Sequence, residues 1–117
     1  MRIFRFDPRT SGREISAYGS SGVLFSGLAR SEGEARLSCL RLRPGGALGR
    51  HPAPIPQLFV VVEGDGWVST DADEVRVKAG QAVLWEIEEQ HESRAGPQGM
   101  TVLVLEGEDV REDAPAT

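Results

Sequence analysis

The pattern of apolar and polar positions along the chain predicts short strands rather than helices. No stretch of three turns carries apolar residues at the helical spacing i, i+3, i+4 and i+7 without an interrupting glycine or proline. Short β-compatible runs instead alternate with turn residues at intervals of roughly 8 to 12 residues, which is typical of antiparallel sandwiches and barrels. The predicted strands are residues 37–42, 58–62, 67–70, 74–77, 82–87 and 100–105, with weaker signals at 3–6 and 21–28.

Glycine and proline clusters mark where these strands are expected to end. The predicted turns include Gly64-Asp65-Gly66 and Ala95-Gly96-Pro97. The strand at 58–62 is apolar on both faces, since its alternate residues are all large and hydrophobic. We therefore expect one face to line an interior pocket and the other to be covered by core packing or by a second copy of the chain.

Length, composition and charge restrict the class of protein. A chain of 117 residues with 39% hydrophobic residues forms one domain, and no apolar run approaches the roughly 18 residues of a membrane helix. Net charge is +5 over residues 1–50, −6 over 51–105 and −4 over 106–117. The arginines are scattered and the overall charge is negative, which argues against nucleic-acid binding. With no secretory signal and a single cysteine, we expect a cytoplasmic protein without disulfides, in which Cys39 is a small buried residue.

Two histidines stand at defined distances from glycine turns. The first stretch runs from Gly45 through His51 to Gly64, and the second runs from Gly80 to His91, with 15 residues between the two stretches. This pattern resembles the two conserved motifs of the cupin superfamily, and the resemblance covers residues 37–106. The departures from the motifs are Ala53 and Gln57 in place of a histidine and a glutamate, Glu86 and Glu88 in place of a proline and a glycine, and Ala95 in place of an asparagine.

The resemblance implies an all-β fold, the cupin (RmlC-like) double-stranded β-helix or jelly-roll barrel, of the small single-domain bacterial kind. We expect N-terminal strands in residues 1–35, the barrel in residues 36–106, and an acidic, solvated C-terminal tail in residues 107–117. A domain-swapped dimer that exchanges the N-terminal strands is one alternative for the first of these segments. Phe4 and Phe6, together with the doubly apolar strand at 58–62, predict a homodimer, because a small monomer has little chain with which to cover them.

The same resemblance implies a pocket inside the barrel. Its predicted lining is His51, Gln57, Phe59, Trp85 and His91, whereas Trp67 is expected in the core. In metal-binding cupins three histidines and a glutamate converge there, of which this chain keeps two histidines. Glu89 shares a strand face with His91 if that segment is extended, so the candidate metal ligands are His51, Gln57, Glu89 and His91.

Three classes of function are compatible with this pattern. The favoured class is a protein that binds a small molecule in the pocket, with a weak metal site or none. The alternative is a metal-dependent enzyme of the dioxygenase or isomerase type, using His51, His91 and a carboxylate or Gln57 to hold one divalent transition metal. The third class is a structural protein with a vestigial pocket. The partners expected are a small molecule and a second subunit, and neither nucleic acid nor a membrane.

Overall fold

The chain is built almost entirely from antiparallel strands. The computed structural model describes residues 1–7, 9 and 12–113. Its strands are β1 (Arg2–Arg5), β2 (Arg13–Ile15), β3 (Val23–Phe25), β4 (Ala29–Arg30), β5 (Arg36–Leu42), β6 (Ala47–Pro52), β7 (Gln57–Ser69), β8 (Glu74–Lys78), β9 (Gln81–Trp85), β10 (Gln90–Glu106) and β11 (Arg111–Glu112). A 3-10 turn at Ala17–Gly19 is the longest helical segment of the described residues, and none of them forms a helix able to cross a membrane.

Seven of these strands form one sheet in the order β1-β9-β7-β10-β5. β8 pairs with the second half of β7, and β6 pairs with the first half of β10. The remaining strands form two small sheets, β2 with β3 and β4 with β11. β10 pairs with β6 along its first half, so His51 on β6 lies beside His91 on β10. Along its second half β10 pairs with β5.

Two predicted turns are wrong, because the chain passes through them within long bent strands. Gly64 and Gly66 lie inside β7, and 95–97 lies inside β10. Gly64 has a φ of +80°, and a side-chain carbon added at Gly66 would lie 2.1 Å from the Arg94 carbonyl oxygen. Glycine is therefore used here for a bulge and for close backbone approach rather than for a chain reversal.

The two faces of β7 enter two separate apolar clusters, as the alternation at 58–62 predicts. Phe59 and Val61 lie in the larger cluster, which the seven-stranded sheet encloses. Leu58 and Val60 lie in the second cluster, whose other members come largely from the two ends of the chain: Phe4, Phe6, Leu28, Ala29 and Val110. The outer face of β7 is thus covered by the same chain at Leu58 and Val60, which supply no argument for a dimer, whereas Val62 is 44% exposed.

Three further expectations differ from the structure. Residues 107–113 are not a solvated tail, since Val110 is 4% exposed and β11 pairs with β4; residues 114–117 lie outside the described part. Cys39 is exposed, because β5 is an edge strand and Cys39 lies on its outward face. Trp67 lies outside both clusters, between the guanidinium groups of Arg76 and Arg94.

Candidate functional site

The two motif histidines face each other across neighbouring strands. His51 on β6 is the register partner of His91 on β10, and their ring centroids are 4.5 Å apart. The His91 ring also stacks on the indole of Trp85 at the end of β9, with centroids 4.3 Å apart and an interplanar angle of 18°. None of the predicted strands includes the segment before His51, but pairing with β10 makes this segment strand β6. Three flat rings therefore lie in contact, with His91 stacked on Trp85 and the His51 ring tilted by 57° to that of His91.

Backbone carbonyl groups determine which nitrogen of each imidazole carries the proton. His51 Nδ1 lies 2.6 Å from the Gly49 carbonyl oxygen, and His91 Nδ1 lies 2.9 Å from the Glu89 carbonyl oxygen. A carbonyl oxygen only accepts hydrogen bonds, so both Nδ1 atoms donate. In the neutral imidazole this leaves Nε2 of each ring with a free lone pair, which is able to accept a hydrogen bond or bind a metal.

His91 is held in the neutral form. Its side chain is 3% exposed, and burial is the main cause that lowers the pKa of His91 below its usual value of 6.5. The Glu89 carbonyl opposes this by raising the pKa, and the charge of His51 lowers it further. At neutral pH the His91 imidazole is therefore an uncharged donor–acceptor group rather than a cation.

All five residues predicted to line a pocket lie around one cavity of about 230 Å³. These are His51, Gln57, Phe59, Trp85 and His91, and the other lining residues are Arg36, Ser38, Leu40, Leu48, Ser93, Val104 and Glu106. A larger cavity of about 440 Å³ lies at residues 33–36 and 106–109 and has no aromatic or imidazole group in its wall. The imidazole and aromatic side chains that the sequence predicts for a binding site thus line the smaller cavity.

Sequence reasoning missed Glu106 as a pocket residue. Glu106 is the register partner of Gln57, and Gln57 Nε2 donates to Glu106 Oε2 at 3.0 Å. The Glu106 side chain is 23% exposed, and the nearest guanidinium nitrogen, Arg36 Nε, is 3.8 Å away. A signal was available in the strand period: Val102 and Val104 face the larger cluster, so Glu106 shares their inward face.

The residues present do not assemble the metal site that the resemblance implies. The Glu89 carboxylate is outside the cavity lining, where it pairs with the Met1 amino group and accepts a hydrogen bond from the Glu86 backbone N–H at 3.2 Å. Within the described residues no three His, Cys, Asp or Glu side chains are close enough to hold a metal together. Gln57 faces the cavity, but its amide nitrogen is bonded to Glu106.

The position of the missing histidine is closed by packing. Ala53 is fully buried in the larger cluster. Its backbone also holds the loop after β9, accepting from the Glu88 N–H at 2.6 Å and donating to the Glu89 carbonyl at 3.3 Å. Only two imidazoles of the usual donor set therefore reach the cavity.

One donor of the cavity wall has no partner. Trp85 Nε1 is buried, and no acceptor in the described residues lies within hydrogen-bond distance. Buried N–H groups are rarely left unpaired in native proteins, and an unpaired group at a binding site is commonly satisfied by a ligand or an ordered water. The Nε1 atom has almost no accessible surface, so a molecule in the cavity reaches it only if neighbouring side chains move.

Comparison with solved structures identifies the fold. The chain matches a cupin-2 domain containing protein from Shewanella frigidimarina NCIMB 400 with a TM-score of 0.55 and 15% identity, covering 67% of this chain and 78% of that one. It matches a predicted oxalate decarboxylase from Thermotoga maritima with a TM-score of 0.57 and 23% identity, covering 61% and 64%. A protein of unknown function from Rhizobium leguminosarum bv. viciae 3841 matches with a TM-score of 0.59 and 22% identity, covering 68% and 81%. No family model and no curated protein matches the sequence.

Proposed function

The chain has the cupin fold, and on that basis we propose that it binds a small organic molecule in the 230 Å³ cavity of the barrel. The observation that carries the proposal is the convergence of two imidazoles, the Trp85 ring and the Gln57–Glu106 pair in the wall of one cavity. A cavity with apolar walls and a few convergent polar groups is the usual form of a small-molecule site.

The cavity volume sets the size of the ligand. At roughly 30 Å³ per water molecule, the cavity has the space of about eight waters. Phe59, Leu40 and Val104 contribute apolar wall, so the ligand has a hydrocarbon or aromatic part. Two groups of polar side chains in the wall are the adjacent imidazoles of His51 and His91 and the Gln57–Glu106 pair.

A thermal-shift screen with a library of small polar and aromatic molecules tests this function. A ligand that binds only the folded protein raises the melting temperature by mass action. We expect His51→Phe, which keeps a flat ring and removes the Nε2 acceptor, to weaken binding of the ligand about fivefold to tenfold, since one hydrogen bond contributes about 1 kcal/mol. The matched control Trp67→Phe alters the outer surface and is expected to bind as the wild type does. No stabilising compound, or equal loss in both variants, would contradict the proposal.

A metal-dependent enzyme is the second candidate, favoured by one observation: the Nε2 lone pairs of His51 and His91 are both free of protein partners in the described residues. Two imidazoles alone hold a divalent transition metal weakly, so this function needs further ligands from the substrate or from solvent. Elemental analysis of protein purified without chelator or nickel resin tests it. About one metal per chain, lost in His91→Ala, would favour the enzyme over the metal-free site.

We also propose that the protein is a cytoplasmic homodimer. The support for the dimer comes from the hairpin of β2 and β3 and not from β7. The hairpin of β2 and β3 pairs only with itself in the described residues, and its apolar side chains are open to solvent. These exposed side chains are Tyr18, Val23, Leu24 and Phe25. An isolated two-stranded hairpin is marginally stable in water, so a second subunit is the natural cover for this one.

A further inference from the structure

The cavity wall contains several hydrogen-bond acceptors beside the donors of Arg36, Ser38 and Ser93. Nε2 of His51 and Nε2 of His91 are acceptors, since each Nδ1–H is already bonded to a backbone carbonyl. One of the two N–H groups of the Gln57 amide donates to Glu106, and the Gln57 carbonyl oxygen is an acceptor. Trp85 Nε1 is the single buried side-chain donor without a partner among the described residues. A ligand with N–H donors can therefore pair with the two imidazoles, with the Gln57 carbonyl oxygen and with Glu106.

The cavity also carries one carboxylate whose charge is poorly compensated. Glu106 lies in the wall with its side chain 23% exposed. Its nearest cation, Arg36, is 78% exposed, and the closest nitrogen–oxygen distance is 3.8 Å. An ion pair with such an exposed partner contributes little, because water screens the charge and the long side chain loses entropy when it is held. A cation inside the cavity would replace this weak contact with a shorter and better shielded one.

We propose that the cavity selects a small organic cation, an amine or an amidine, whose charged end pairs with Glu106 and whose apolar part lies along Phe59 and Val104. This inference rests on the proposed small-molecule function and adds the class of ligand. Glu106 is a recognition residue in it, and Gln57 is a positioning residue, since its N–H donates to one oxygen of Glu106 and leaves the other for the ligand.

Titration calorimetry with three molecules of nearly equal shape tests the selection: benzamidine, benzamide and benzoate, which are cationic, neutral and anionic. The full chain is freed of metal with a chelator beforehand, so that coordination to a metal does not contribute. We expect benzamidine to bind at least tenfold more tightly than benzamide, and benzoate to bind most weakly. Glu106→Gln keeps the shape of the side chain and should reduce the preference for benzamidine to threefold or less.

Two further variants keep the test decisive if Glu106→Gln fails to fold. Glu108→Gln removes the same charge from an exposed residue outside this cavity, and it should retain the tenfold preference. Arg36→Gln removes the competing guanidinium from a largely exposed position, and it should bind benzamidine about threefold more tightly than the wild type.

The possible failures separate the two proposals. Equal or tighter binding of benzamide or benzoate would overturn the selection of cations but would support a small-molecule cavity. Binding of benzamidine that Glu106→Gln and Glu108→Gln weaken equally would also overturn it, since it would show a general effect of net charge. Binding of none of the three probes would overturn the inference as well, and the library screen would then decide the proposed function independently.

Discussion

At the scale of single residues, His91 links the stability of the fold to pH. Burial lowers the pKa of His91 below 6.5, so the unfolded chain takes up a proton on this side chain more readily than the folded chain does. The contribution of His91 to stability is therefore complete above pH 6.5 and is lost as the pH falls through its lower, folded pKa. The slope that one proton produces is at most about 1.4 kcal/mol per pH unit.

Urea unfolding of metal-free protein between pH 5 and pH 8 measures this effect. We expect the free energy of unfolding of the wild type to decrease below pH 6.5 more steeply than that of His91→Gln, which has no titrating group at this position. His51→Gln, in which the buried His91 remains, serves as the control and should keep the steeper slope. Parallel profiles for the wild type and His91→Gln would show that burial of His91 does not govern acid stability.

Glu88 adopts a backbone conformation that suits glycine. Its φ is +65°, and it occupies the position where the motif of the resembled family has glycine. A left-handed conformation costs a residue with a side chain about 1 kcal/mol relative to glycine. The exposed Glu88 side chain makes no contact that repays this cost in the described residues, whereas its backbone N–H bonds to the Ala53 carbonyl.

Substitution at position 88 separates the backbone effect from the effect of charge. We expect Glu88→Gly to be about 1 kcal/mol more stable than Glu88→Ala, which corresponds to a difference of about 4 °C in melting temperature for a domain of this size. Both variants lose the same carboxylate, so differential scanning calorimetry of the pair reports the backbone alone. Equal melting temperatures would mean that the loop relaxes away from the left-handed conformation in the alanine variant.

At the scale of elements, glycine allows the backbones of the long strands β7 and β10 to approach each other closely. A side-chain carbon at Gly66 would lie 2.1 Å from the Arg94 carbonyl oxygen, which is part of the facing backbone and does not move freely. We expect Gly66→Ala to destabilise the protein by about 3 kcal/mol or to prevent folding, because strands that carry the cavity must separate. Gly33→Ala, where nothing lies within 4 Å, should change stability by less than about 0.5 kcal/mol. Chemical denaturation of the two variants checks both values.

If Gly66→Ala does fold with wild-type stability, the close approach of β7 to β10 is not what determines the length of these strands.

The glycine pattern shows why sequence reasoning misplaced two turns. Gly-Asp-Gly is a common turn signal, and only the pairing of β7 with β10 shows that the glycines are required for close contact. The local sequence favours a turn at residues 64–66, but pairing of this segment with residues 94–100 of β10 is more stable, so the chain continues as a strand.

At the scale of the whole molecule, the exposed hairpin predicts how two copies associate. Leu24 on β3 is 56% exposed, and Ile87 in the loop after β9 is 57% exposed. If the hairpin forms the dimer contact, Leu24→Glu places a charge in an apolar interface, whereas Ile87→Glu alters a surface of equal exposure elsewhere. We expect the wild type and Ile87→Glu to have twice the chain mass of 12.7 kDa, and Leu24→Glu to have the mass of one chain at the same concentration.

Light scattering coupled to size-exclusion chromatography measures these masses. A wild-type protein with the mass of one chain would contradict the proposed homodimer. A Leu24→Glu variant that stays dimeric would retain the dimer but assign its contact to another surface, such as the edge strand β5, where Leu37 is 65% exposed.

The amino-acid sequence by itself determined the all-β class and the strand faces. These properties depend on local period: alternation places Phe59 and Val61 on one face and Leu58 and Val60 on the other in any sheet. The resemblance of the His51 and His91 stretches to the cupin motifs implied a shared pocket, and it named five of the twelve residues that line the cavity.

Only the tertiary structure decided the roles of the carboxylates and the coverage of the outer face. Glu89 was placed near His91 by sequence distance, yet its side chain pairs with Met1, while Glu106 reaches the cavity because β10 pairs with β7 in a register that places it beside Gln57. Phe4 and Val110 cover β7 because both ends of the chain return to the same sheet. The register of strands far apart in the sequence depends on packing of the whole core, and local alternation does not contain that information.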